Sequence, residues 1–233
     1  MNKETRAFIC EVRAERDEQH GAFIIGTPIV FNQWTDMGWY REMIRATALV
    51  DCDLRDVRFL TGHNTSMVPL ARSRNNNENS TMQLKITEEG LNVRVNLDIE
   101  NNVEARALYS AIARGDISGM SFMMLTDKDK DVWTDVESDY PSREITHIFR
   151  VLEVSAVAFP AYEQTSIQCA SEGTALDSAR ASLESAKQKL AEERVAAEAA
   201  EEARKAEEAE QGRRRAVLER LENLKKEVKH NNE

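Results

Sequence analysis

The alternation of apolar and polar residues predicts short β-strands throughout the first 173 residues of the chain. Within 91–98, apolar residues occupy every second position, so one face of this strand is solvated. Segment 82–86 precedes it, and the turn at Glu88, Glu89 and Gly90 joins the two into a predicted hairpin. The other predicted strands are 57–60, 117–125 and 145–159, and segment 22–31 is predicted to be a strand pair bent at Gly26 to Pro28.

The clearest helical period in this part of the chain occupies 102–114. Asn102 is a favoured N-cap residue, and Gly115 stands where a glycine commonly ends a helix. Strands outnumber helices, do not alternate with them as βαβ units, and are not followed by a glycine-rich phosphate loop. These features predict an α+β fold built on a small antiparallel β-barrel with flanking helices.

The pattern changes after Gly173 to that of one long helix, 175–229, rich in Ala, Glu, Lys, Arg and Leu. Apolar residues step by three and four at both ends of this helix, as in a coiled coil: Leu176, Ala179, Leu183, Ala186 and Leu190, then Val217, Leu221, Leu224 and Val228. The middle buries little, and a break is expected at Gly212. We therefore divide the chain into a domain at 1–173 and a helical, coiled-coil-like tail at 174–233.

Charge and composition exclude several classes of function. The net charge of the chain is −10, and the first 173 residues carry 27 acidic and 18 basic side chains, which disfavours a nucleic-acid partner. No apolar run is long enough for a membrane span or a signal peptide. Three scattered cysteines are expected to be reduced, and no metal, cofactor or nucleotide motif is present. Protein or peptide substrates are the expected partners.

The remaining possibility is nucleophilic or acid–base catalysis, for which only four histidines are available as the base. His20 and His230 lie in polar segments typical of the surface, and His147 lies within a predicted strand. His63 follows a short apolar strand and Gly62, where a rigid strand end can present an imidazole to a cleft. His63 is therefore the candidate general base.

Four segments together resemble the tailed-phage prohead proteases, the serine proteases of capsid maturation. They are 28–46 (PIVFNQWTDMGWYREMIRA), 59–72 (FLTGHNTSMVPLAR), 115–122 (GDISGMSF) and 152–162 (LEVSAVAFPAY). The resemblance covers about residues 5 to 168. The family is similar in fold to the herpesvirus assembly proteases, which implies a small β-barrel wrapped by helices.

The resemblance implies a catalytic triad of His63, Ser121 and Glu153. Ser121 lies in the family's Gly-Met-Ser pattern, and Ser118 is the competing serine. Glu153 would orient the imidazole, although Ser155 and His147 remain alternatives for this third role. Ser121 and His63 are expected to lie close together across neighbouring strands.

Three further observations concern the surroundings of the expected site. Backbone N–H groups at Ala161 or Tyr162 are candidates for an oxyanion hole. The chain departs from the family pattern at Met123 and Met124, where Gly-Phe is usual, and at Ala71, where Gly is usual. These bulkier residues surround the expected site without replacing its nucleophile or base.

The expected function is that of a serine endopeptidase acting inside the assembling procapsid in the host cytoplasm. It would cleave scaffold segments of capsid proteins and also itself, and it would need no cofactor. The tail would bind the scaffold, support self-association through its helix, and be lost by self-cleavage near 171–174. The alternative is a noncatalytic assembly protein that uses the barrel as a docking module.

Overall fold

The computed structural model describes residues 2–9, 12–18, 21–127, 129–158 and 174–230. The strands are β1 (Asn2–Ile9), β2 (Arg13–Asp17), β3 (Gly21–Val30), β4 (Thr35–Asp36), β5 (Arg41–Ile44), β6 (Asp56–Thr61), β7 (Ala71–Arg74), β8 (Met82–Ile86), β9 (Gly90–Asn96), β10 (Gly119–Thr126), β11 (Val132–Thr134), β12 (Ser142–Ile145) and β13 (Ile148–Val157). The helices are α1 (Val103–Arg114) and α2 (Thr174–His230), with a 3₁₀ turn at Ala46–Leu49.

The strands form three sheets. The first has the order β1-β10-β13-β6-β7, the second β11-β12-β5-β4, and the third β2-β3-β9-β8. Pairing is antiparallel except between β13 and β6 and between β12 and β5, which are parallel. The fold is thus mixed α+β with a long C-terminal helix, as predicted. Within the described residues the sheets do not close into a barrel, and the parallel pairs show that the pairing is not wholly antiparallel.

The local sequence signals of two elements are confirmed. The side chain of Asn102 accepts hydrogen bonds from the backbone N–H groups of Glu104 and Ala105, which begins α1. Gly115 ends this helix in the left-handed conformation, at φ 81°. Strands β8 and β9 form the predicted antiparallel hairpin.

Two predicted strands differ from the structure. Segment 22–31 is not a strand pair but one strand, β3, whose register against β9 shifts between Gly26 and Ile29. This bulge produces the bend that the sequence indicated. Segment 145–159 is divided, because Ile145 ends β12 and Ile148 begins β13.

The first sheet buries one face in the main hydrophobic core. From β10 this face contributes Met120, Phe122 and Met124, and from β13 it contributes Val154 and Ala156. Side chains at alternate positions, including Ser121 and Ser155, lie on the opposite face of the sheet. Ser121 and Ser155 therefore lie on a sheet whose other face is packed in the main hydrophobic core.

The chain divides into two compact units, Met1–Ala186 and Lys187–Glu233. The first turns of α2 belong to the first unit, in which Ala179 and Leu183 pack with Tyr40 and Trp133. The predicted division at Gly173 thus differs from the division of the structure. The first set of heptad-like residues contacts the body of the same chain, so its spacing does not require another chain.

In the second unit, α2 continues without a break at Gly212 to His230, contrary to the break expected there. The described side chains from 191 to 220 are all exposed, which agrees with the prediction that the middle of the tail buries little. No helix of the described segments has the length and apolar character needed to cross a membrane.

Candidate active site

His63 lies in a tight turn directly after β6. Both Gly62 and His63 have positive φ, 59° each, which is uncommon for a residue with a side chain. The turn is fixed to β13, because the N–H of Gly62 donates to the carbonyl oxygen of Ala156 at 3.0 Å. The sequence Gly-His at a strand end thus produces a constrained backbone that aims the imidazole toward β13.

Glu153 on β13 holds one side of the imidazole. Its Oε1 lies 2.6 Å from Nδ1 of His63, and its side chain is only 3% exposed, whereas that of His63 is 24% exposed. A buried carboxylate requires partners, and the imidazole of His63 is one of them. Arg150, on the same strand, pairs with Asp53.

Ser155 connects this carboxylate to the turn. Its hydroxyl donates to Oε2 of Glu153 at 2.5 Å and accepts the backbone N–H of His63 at 3.1 Å. Ser155 is fully buried, so these bonds are shielded from water. It contacts the backbone of His63 and the carboxylate that binds the ring, and it fixes both in one geometry.

Ser121 lies on β10, directly opposite Ser155 in the pairing with β13. Residues opposite each other in an antiparallel pair share a face, so Ser121 and Ser155 lie on the same face of the sheet. Ser121 is fully buried, and its hydroxyl donates to the carbonyl oxygen of Arg6 on β1 at 2.6 Å. In this conformation its proton points to β1.

The structure brings His63 and Glu153 into direct contact and places Ser121 one strand further away. The order β10-β13-β6 puts β13 between the strand of Ser121 and the strand that ends at His63. The expectation of neighbouring strands was therefore wrong, because β13 pairs with β6 in parallel. Two strand spacings, about 10 Å, therefore separate β10 from β6.

Two of the alternative residues, Ser118 and His147, lie away from the His63–Glu153 pair. Ser118 is exposed and precedes β10. His147 precedes β13, six positions before Glu153, or about 20 Å along an extended strand, so it is not brought to His63. The oxyanion-hole candidates Ala161 and Tyr162 lie outside the described residues, as do His20, Cys10 and Cys169.

A buried ionic cluster, whose β1 members lie on the opposite face of the sheet from Ser121, was missed by the sequence reasoning. It combines two arginines with three carboxylates: Arg6, Arg143, Glu4, Glu42 and Asp131. Their five charges sum to −1. Glu4 and Arg6 alternate along β1, and Glu42 belongs to the Arg-Glu pair within the family-like segment 28–46. Residues 2–6 are all polar, so the sequence around Glu4 and Arg6 carries no signal that these charges are buried.

The cluster also binds the start of α2. Ser178 donates to Glu4 at 2.6 Å, and Ser182 donates to Asp131 at 3.0 Å. Arg143, Arg6 and the Ser178 hydroxyl hold the pKa of Glu4 far below its usual range against the opposing effect of burial. Burial raises the pKa of Asp131 to about 6, which fits a cluster with one carboxylate in excess.

Metal and thiol chemistry find no support in the part of the chain that the structure describes. No group of three or more His, Cys, Asp or Glu side chains within it could hold a metal ion. Burial raises the pKa of the Cys52 thiol to about 12, so this residue is not an activated nucleophile.

Comparison with known protein families gives one match. The family model described as caudovirus prohead serine protease, Peptidase_S78, matches residues 9–178, most of the chain. No curated protein and no solved structure matches the sequence. The family match covers β2 to β13 and the first residues of α2, and so includes the His63–Glu153 pair and Ser121. The chain belongs to the caudovirus prohead serine proteases, peptidases of capsid maturation in the assembling procapsid.

Proposed function

We propose that this protein is a serine endopeptidase that cleaves scaffold segments of capsid proteins, and itself, inside the assembling procapsid. Ser121 is the nucleophile, His63 the general base and Glu153 the residue that orients the base. The observation that carries the proposal is the 2.6 Å hydrogen bond between Nδ1 of His63 and the buried carboxylate of Glu153. A buried carboxylate on one imidazole nitrogen is what a base of this type requires.

The proposed chemistry uses the two nitrogens of His63 differently. Because Nδ1 donates to Glu153, Nε2 is unprotonated and can accept a proton from the Ser121 hydroxyl. Ser121 Oγ then attacks the peptide carbonyl carbon, and the imidazolium returns the proton to the leaving amine. Water, activated by the same nitrogen, attacks the ester carbonyl carbon, and the proton returns to Ser121 as its C–O bond breaks.

The Ser121 hydroxyl has to leave the carbonyl oxygen of Arg6 before it can donate to His63. In the proposed mechanism a rotation about χ1 turns the hydroxyl from one acceptor to the other. The exchange replaces one hydrogen bond by another, so its net cost is about 1 kcal/mol or less. Such a rearrangement on substrate binding is common, since hydrogen bonds of catalytic residues often tighten only in the complex.

The side chains of residues 191–220 of α2 are exposed, so they are available to contact scaffold segments or a second copy of the chain. This exposure supports the proposed roles of the tail in scaffold contact and self-association. A solvated helix is an accessible protease substrate, because it can open locally to the extended strand that a protease binds.

Intact-mass analysis of purified protein after incubation tests the proposal. The wild-type chain should lose its tail, while Ser121→Ala and His63→Ala should remain intact, with rates reduced at least about 10³-fold. Glu153→Gln keeps the shape of the side chain and should be less severe. Ser118→Ala is the matched control and should cleave at the wild-type rate. Loss of cleavage in Ser118→Ala, with activity in Ser121→Ala, would overturn the choice of nucleophile.

One observation favours the noncatalytic alternative, namely the complete burial of Ser121 and its bond to Arg6. In that case wild-type protein and Ser121→Ala would both stay intact, with or without capsid protein, and both would still enter procapsids. Tail loss in the wild type alone would reject this alternative.

A further inference from the structure

Charge is segregated along the C-terminal part of α2. Residues 192–210 carry eight acidic and three basic side chains, a net charge of −5. Residues 213–229 carry seven basic and three acidic side chains, a net charge of +4. We call these the acidic block and the basic block. At 1.5 Å per helical residue they are about 28 and 25 Å long, so their lengths match.

The two blocks differ in side-chain size on one helix face. In the basic block this face carries large apolar residues at heptad spacing, from Val217 through Leu221 and Leu224 to Val228. Continuing the same spacing backward through the acidic block places Glu210 and Glu207 on this face, followed by three small residues, Ala203, Ala200 and Ala196. Val217 is 58% exposed in the chain alone, so the described end of this face is open to solvent.

We propose that this part of α2 pairs antiparallel with the same segment of a second copy of the chain. The acidic block of each copy then faces the basic block of the other. Large side chains also meet small ones, with Leu221 opposite Ala203 of the second copy and Leu224 opposite Ala200. Glu210 faces Arg214 of the second copy at the centre.

The charge pattern selects this direction. A parallel pair in register would oppose −5 with −5 and +4 with +4 over the whole contact, and like charges across a helix pair are unfavourable. The intrahelical bonds from Lys205 to Glu201 and from Arg214 to Glu210 leave these net charges unchanged. The antiparallel pair converts both repulsions into attractions, and in it large apolar side chains meet alanines instead of one another. This inference is independent of the proposed catalytic residues.

Sedimentation equilibrium of the full chain tests the pairing. Every arm carries Ser121→Ala, so the result does not depend on self-cleavage. The protein should form a dimer whose dissociation constant rises about tenfold or more between 50 and 500 mM salt, since exposed charges are screened. Replacing the arginines 213–215 by Glu changes the basic block from +4 to −2 and should abolish the dimer.

A complementary variant separates loss of pairing from loss of folding. Replacing Glu207, Glu208 and Glu210 by Lys changes the acidic block from −5 to +1 and should also give a monomer. Mixing the two charge variants should restore a dimer, because each block again faces the opposite charge. A monomeric parent chain, or dimers that persist in both charge variants, would overturn the proposal.

Disulfide trapping tests the direction of the pair. An Ala203→Cys chain mixed with a Leu221→Cys chain should form a disulfide-linked dimer under mild oxidation. Each of these chains alone should form much less, with the unsubstituted chain as the background. Efficient linking of Ala203→Cys to itself would demonstrate a parallel pair and overturn the antiparallel arrangement.

Discussion

The first turns of α2 are expected to stabilise the body of the protein, and Leu183→Ala tests this most directly. Leu183 is 7% exposed and belongs to the cluster with Tyr40 and Trp133. Replacing a buried leucine by alanine costs about 2 to 5 kcal/mol, because apolar contact is lost and a cavity remains. The total stability of a domain is about 5 to 15 kcal/mol, so the effect is large.

Leu218→Ala provides the matched control. It removes the same atoms from the same helix, but Leu218 is 64% exposed, so its free energy of unfolding should change by less than about 0.5 kcal/mol. Urea unfolding followed by tryptophan fluorescence is a suitable assay, because Trp133 stacks on Trp39 with ring centroids 6.1 Å apart. With an m-value of about 2 kcal/mol/M, the midpoint for Leu183→Ala should fall by about 1 to 2.5 M. Equal midpoints for the two variants would refute the reasoning.

The same reasoning moves the C-terminal boundary of the folded body from Gly173 to Ala186. A chain ending at Gly173 loses Leu183 and the hydroxyls of Ser178 and Ser182, which bind buried carboxylates. It should be destabilised at least as much as Leu183→Ala. A chain ending at Leu190 keeps these contacts and should unfold at the wild-type urea concentration. Equal stability of the two truncated chains would return the boundary to Gly173.

Two further predictions concern the pH dependence of stability and a close backbone contact. Burial holds the pKa of Asp131 at about 6 in the folded state against an ordinary 3.8, so the folded state binds the proton more tightly. The contribution of Asp131 to stability should therefore fall by up to about 3 kcal/mol as pH rises from 4 to 6.5, and Asp131→Asn should lack this decrease in urea unfolding at the two pH values. Gly90→Ala should cost more than about 3 kcal/mol in the same assay, because a Cβ there would lie 1.8 Å from the carbonyl oxygen of Ile29. Gly115→Ala, with no atom within 4 Å and φ of +81°, should cost only about 1 kcal/mol, and a similar loss for both variants would contradict the contact.

The parts of the fold that the sequence predicted are those that local interactions determine. The cap at Asn102, the glycine at Gly115 and the alternation in β9 each depend on residues a few positions apart. Pairing between distant strands carries no such signal. The parallel contact of β13 with β6 therefore could not be read from either strand alone, and it decides which strands lie beside His63.

The candidate site was likewise predictable from the sequence only in part. The spacing of motifs nominated His63, Glu153 and Ser121, and the structure joins the first two by a hydrogen bond. The acceptor of the Ser121 proton is the backbone carbonyl of Arg6, and backbone groups leave no trace in the residue types of a sequence. Similarly, the step of three and four at Leu176 to Ala186 indicates an apolar helix face, but cannot tell whether the chain itself or another chain covers it.

The buried cluster connects the start of α2 to the proposed nucleophile through β1. Ser178 and Arg143 bind Glu4, and Glu4 binds the side chain of Arg6, whose carbonyl oxygen accepts the Ser121 proton. Because β1 lies at the edge of its sheet and pairs only with β10 among the described strands, these side-chain bonds are what hold its outer side. The position of the acceptor that competes with His63 is thus set by contacts from residues more than a hundred positions away. The docked turns of α2 therefore contribute a hydrogen bond to the side chains that hold β1, the strand whose backbone accepts the hydrogen bond of Ser121.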